Sequence, residues 1–280
     1  MSQKSTATRP TTPIPVVRAV AAQRPLQWLL LGWQDMRRCG WLSLAHGAAM
    51  TAFGLALLLV AHQKFWLLAG AFSGFLVVAP VLATSLYAMS RALERSEPVG
   101  LRLLVDTWLS WQQSRFLDRG GYWCLVRFGI LLALAGTGWV LTSAALITLL
   151  ASAPINTPVD FLRHVVLQPD DFLFETWLAM GGVLAAPIFA SSVVAMPLML
   201  DRRANLLEAV LTSWRVVLGN PLPMAVWSGL IMLLVLLGFA TLLLGLAVLL
   251  PVLGHASWHA YRDLVDASAL PERAARLERR

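Results

Sequence analysis

The stretch MAVWSGLIMLLVLLGFATLLLGLAVLLPVLGHASWHAY, Met224 to Tyr261, decides the fold. Besides the terminal tyrosine, its only ionisable side chains are His255 and His259. As one straight helix these residues would run about 57 Å at a rise of about 1.5 Å each. The hydrocarbon core of a bilayer is only about 30 Å thick. The block is therefore read as two spans that meet at a tight turn near Gly238.

Working outward, four further blocks are long and apolar enough to cross a membrane. The expected spans are residues 43–62, 65–90, 122–150, 174–200, 222–238 and 241–262. Composition agrees: 58% of the 280 residues are apolar and 13% charged, too few charges to cover a soluble surface. Two cysteines, Cys39 and Cys124, exclude a disulfide-stapled secreted fold.

Lys and Arg orient the chain, because short cytoplasmic segments collect them. Of 22 basic residues, 19 fall before span one, between spans two and three, between spans four and five, or after the last block. Lys64 and Arg163 lie on the other side, and Arg127 sits at an inner edge. Six spans with both termini cytoplasmic satisfy this count; five would place the last arginines outside. Residues 1–24 read as a flexible cytoplasmic tail, 25–265 as the membrane domain and 266–280 as a basic tail. The net charge of +7 suits anionic lipid and requires no nucleic acid.

An internal repeat supports the same count. Leu-x6-Trp occurs at Leu26/Trp33, Leu104/Trp111 and Leu207/Trp214, each before an odd-numbered span. APVLATSLYAM from Ala79, APIFASSVVAM from Ala186 and LPVLGHASWHA from Leu250 recur in the even-numbered spans. The predicted fold is all-α: three two-span hairpins, each preceded by an interfacial amphipathic helix, in a pseudo-threefold arrangement. In the second and third such helices, Leu104, Trp108, Trp111 and Arg115, and Leu207, Val210, Leu211, Trp214 and Val217, form stripes suited to headgroups.

Ionisable residues inside a membrane are costly and are default candidates for function. His46, His255 and His259 are expected at one depth, and His255 and His259 share a helix face at i, i+4. Neutral imidazoles so placed suit a metal or an axial haem bond, or they serve as plain hydrogen-bond partners. No Asp or Glu is expected deep in a span, which argues against an ion-coupled pump. Pro80, Pro187 and Pro251 each remove a backbone donor in mid-span and are read as kinks. Asp201, Arg202, Arg262 and Asp263 are expected to form an ion-pair ring at the cytoplasmic ends of spans four and six.

PLQWLLLGWQDM (residues 25–36), PLMLDRRANLLEAVLTSWRVVLGNPLPM (197–224) and LLPVLGHASWHAYRDLV (249–265) resemble a bacterial family of predicted integral membrane proteins of unknown function. Some of its members are labelled putative cytochrome c oxidase subunits. The resemblance implies a Gram-negative inner-membrane location and imports no activity. Five histidines, two of them extracytoplasmic, are too few for the catalytic subunit of a haem–copper oxidase. The expectation is a non-enzymatic scaffold, or an accessory or assembly factor of a respiratory or other membrane complex, without a cofactor. The alternatives are a transporter or channel for a small neutral or amphipathic solute, and a haem- or metal-binding accessory protein.

Overall fold

The computed structural model describes residues 15–61, 81–113, 123–168 and 172–273. Within them the chain is helical apart from one short strand pair and one isolated bridge. Helix α1 (Arg24–Cys39) starts with Pro25 in its first turn, where a missing N–H costs nothing. It ends at Gly40, whose φ of 59° turns the chain directly into α2 (Trp41–Ala61). There follow α3 (Thr84–Glu94), α4 (Leu101–Gln113), α5 (Trp123–Leu150), α6 (Leu173–Ser192), α7 (Ala195–Asp201), α8 (Leu206–Gly219), α9 (Pro221–Ala240) and α10 (Leu246–Leu264).

Among the described residues, four segments are long and apolar enough to cross a bilayer: Trp41–Leu59, Trp123–Leu150, Leu173–Asp201 and Pro221–Ala240. Leu59, Leu134, Leu149, Val183 and Leu236 stand exposed along them, the outward apolar surface that lipid demands. Most of the expected second span, with Pro80, lies outside the described residues. The last block does divide in two. Its turn is Thr241–Gly245, a few residues beyond Gly238. Thr241 Oγ1 donates to the Gly238 carbonyl and accepts from the Gly245 N–H, both at 2.8 Å. Leu242 and Leu243 take positive φ to close it.

Helix α10 is the axis of the described structure. Unlike the four segments above, it is amphipathic, and α1, α2 and α3 pack along it. Gly32 of α1 sits so close to α10 that a Cβ would lie 2.6 Å from the Ala256 nitrogen and the Val252 carbonyl. Pro251 is buried inside α10 and leaves the Ala247 carbonyl without its usual donor. Gly47 of α2 is pressed against that carbonyl, where any side chain would overlap it. Pro187, by contrast, is exposed on α6, and the actual break in that helix comes later, at Val193–Val194.

Helix α8 opens with a capping box: the Glu208 N–H donates to Asn205 Oδ1 (2.8 Å) and the Asn205 N–H to Glu208 Oε2 (3.3 Å). Small residues form its buried face (Ala209, Thr212, Ser213, Val216), leaving Leu207, Leu211, Trp214 and Leu218 outward. Of the expected stripe, Leu207, Leu211 and Trp214 therefore face outward, while Val210 and Val217 lean against the core. Between α5 and α6, Ile155 and Val165 tuck onto Ile147 and Leu173, so this segment is packed.

The tail boundaries need correction. Val16–Val17 (β1) pairs antiparallel with Val265–Asp266 (β2), and Leu270 and Arg273 are buried. Hydrogen bonds from the Arg273 N–H to the Asp201 carbonyl and from the Arg203 N–H to the Pro271 carbonyl hold this end in place. Ala267, Leu270 and Arg273, every third residue, form the face that this segment buries.

Candidate functional site

One group of buried polar residues gathers where α1 turns into α2, against α3 and α10. Ser43, one helical turn into α2, places Oγ 2.8 Å from His255 Nε2. His255 Nδ1 lies 2.8 Å from Ser90 Oγ on α3. Ser90 Oγ donates to Asp35 Oδ2 at 2.7 Å, and His259 Nε2 meets that same oxygen at 2.8 Å. Ser43, His255, Ser90 and Asp35 are all buried; His259 is half-buried at the end of the chain.

Donor logic fixes the protons. A carboxylate only accepts, so Ser90 spends its single proton on Asp35 and must accept from His255 Nδ1–H. His255 Nε2 is then the acceptor for Ser43 O–H. All four bonds point toward Asp35. Burial works against the charge there, but the hydrogen bonds from His259 and Ser90 outweigh it and hold the carboxyl below its usual range. Burial also pushes the nearby Cys39 thiol up to about 12, so it stays protonated and inert.

His46 belongs elsewhere: its Nε2 bonds the Leu82 carbonyl at 3.1 Å. The three histidines thus have three separate sets of partners. Among the described residues, no three His, Cys, Asp or Glu side chains converge as metal ligands.

A second cluster surrounds Asp201 at the end of α7. Its carboxylate meets Arg91 Nε (3.2 Å), Arg95 Nη2 (3.0 Å), Arg202 Nε (3.0 Å) and the Tyr261 hydroxyl (2.9 Å). Arg262 lies at 3.9 Å and bonds Glu94, which also accepts from Trp258 Nε1. Glu272 reaches Arg95 and Arg202, both at 3.3 Å. Asp201, Arg202 and Arg262 therefore do come together. Asp263 does not: it takes both ends of Arg24 (2.7 and 2.8 Å) and the indole N–H of Trp28 (2.9 Å), tying α10 to α1.

Sequence reasoning missed Asp35, Ser43, Ser90, Arg91, Arg95, Glu94 and Glu272. The expectation of no deep carboxylate counted only spans, whereas α1 is not a span and still carries Asp35 into the interior. One signal was available. Trp28, Gly32, Asp35, Met36 and Cys39 fall on one face of α1, and they are its buried face.

Long apolar helices with outward hydrocarbon surface, joined through buried polar contacts, define a multi-pass helical integral membrane protein. The family model described as a predicted integral membrane protein (DUF2189) matches residues 67–201, a little under half of the chain. This is the family that the quoted sequence segments resemble. No curated protein and no solved structure matches.

Proposed function

We propose that the chain is a non-enzymatic protein of the bacterial inner membrane that acts as a scaffold, or as an accessory or assembly factor, for a membrane complex. One observation carries this reading. The polar side chains that would line a site are spent on one another between helices, so the buried chemistry fixes α1, α2, α3 and α10 in register. Such satisfied networks rigidify a fold. The finer architecture we infer is six spans in three hairpins, with both termini cytoplasmic. The repeat is supported by two like contacts. Trp108 Nε1 donates to Ser85 Oγ (2.6 Å) and Trp214 Nε1 to Ser191 Oγ (2.9 Å), each across 23 residues from an amphipathic helix to the expected even-numbered span before it.

Affinity purification in mild detergent tests the scaffold role. A stoichiometric membrane complex retained on the full chain is the expected result; a lone chain, recovered equally from all preparations, overturns it. An alkaline phosphatase fusion at Arg280 tests the topology and should be inactive.

A solute transporter is the second reading, favoured by the Ser43–His255–Ser90–Asp35–His259 chain, every member of which can both take and give a proton. Proton flux into proteoliposomes that is lost in Asp35→Asn would select it over the scaffold.

A further inference from the structure

Around Asp201 the protein concentrates more positive charge than its acids balance. Six guanidinium groups (Arg18, Arg91, Arg95, Arg202, Arg262 and Arg273) stand with four carboxylates (Asp201, Glu94, Glu272 and Asp266). The deepest carboxylate, Asp201, is 2% exposed and shared among several arginines, while Glu272 is 57% exposed at the rim. Beside this cluster lies a polar cavity of about 280 Å³ lined by Arg18, Arg202, Arg262, Val265, Asp266, Ala267 and Ser268.

The one carboxylate in the lining is already answered. Asp266 Oδ2 takes Arg18 at 2.7 Å and Oδ1 takes the Ser268 N–H at 3.1 Å. These bonds hold its carboxyl well below the usual range, those with Ser268 first and that with Arg18 next. The arginines retain donors. A guanidinium offers five N–H groups; Arg18 gives one to Asp266, Arg262 engages Glu94 through Nε and Nη2, and Arg202 is the most committed, meeting Asp201, the Leu270 carbonyl and Glu272. Planar forks with spare N–H groups in a cationic recess suit a tetrahedral oxyanion.

We propose that this cavity binds a phosphate group, either free or as the headgroup of an anionic phospholipid. The phosphate chemistry stands on charge and cavity alone. The lipid source rests on the cytoplasmic placement proposed above, where basic pockets between helices meet anionic headgroups. A phosphatase fusion that proved active would remove the lipid argument and leave the phosphate site in place.

The test is the thermal midpoint of the full chain, purified in neutral detergent and stripped of lipid. It is measured with inorganic phosphate, with phosphatidylglycerol and with phosphatidylcholine, at constant ionic strength. Either phosphate or phosphatidylglycerol should raise the midpoint by roughly 5 °C at saturation, with phosphatidylcholine inert. A response to phosphatidylglycerol alone assigns the lipid; a response to inorganic phosphate assigns the free anion. Arg18→Gln and Ser268→Glu, at the exposed edge of the cavity, should abolish the shift. Arg215→Gln, which removes an equal charge from exposed α8, should keep it. A folded wild type that responds to neither phosphate source overturns the proposal. So does a shift lost equally in Arg215→Gln.

Discussion

Asp35 accepts two hydrogen bonds on one oxygen in a place closed to water, so its removal strands two donors at once. Asp35→Ala should destabilise the protein by about 2–4 kcal/mol, read as a fall in unfolding midpoint in detergent. Asp35→Asn keeps an acceptor and should cost less. The pH dependence follows from the depressed folded value. The carboxylate's contribution is complete above its ordinary value of 3.8 and is lost as pH falls through the lower folded value. The gap in midpoint between wild type and Asp35→Asn should therefore be wide at about pH 7 and close below about pH 4. Sequence spacing exposes His255 and His259 as a pair on one face, but not what each one holds. Asp35 is hidden in the sequence because its segment, with Arg37 and Arg38 beside it, reads as an interfacial helix whose charges face headgroups. Only the packing of α1 on α10 separates the buried carboxylate from its exposed neighbours.

At the level of helices, contact with α10 depends on missing side chains. Gly32→Ala and Gly47→Ala each put a methyl into α10 backbone, which cannot retreat as a flexible side chain would. Each should cost about 1–3 kcal/mol or force α10 away, with earlier elution or loss of the folded peak on size exclusion. Gly229→Ala on α9 meets nothing within 4 Å and should be neutral or stabilising by up to about 1 kcal/mol. The division of the last apolar block was readable because no bilayer accommodates a helix of that length. Its turn lies past Gly238 because that glycine makes the close approach to Leu246, while Thr241 supplies the hydrogen bonds that close the chain. The outward stripe of α8 was visible as periodicity. Periodicity alone does not say whether large apolar residues seek protein or lipid.

Across the whole molecule, the two ends of the described chain are structural neighbours. β1 and β2 pair, Arg18 bridges to Asp266, and Asn220 braces the arrangement by accepting from the Val20 N–H and donating to the Arg18 carbonyl. Helix α1, first in sequence, is thereby the packing partner of α10, the last helix. Chain order and spatial order have been decoupled at this point. A circular permutant that joins the present ends through their own tails and opens at Pro98, an exposed residue between α3 and α4, should fold with an unfolding midpoint near that of wild type. Failure to insert or fold would mean that α1 and α2 must be in place before α10 is made. In the permutant α10 would precede α1, as α3 precedes α4 and α7 precedes α8. The strand pair, only two residues on each side, is thus the clasp through which the first and last described helices steady each other.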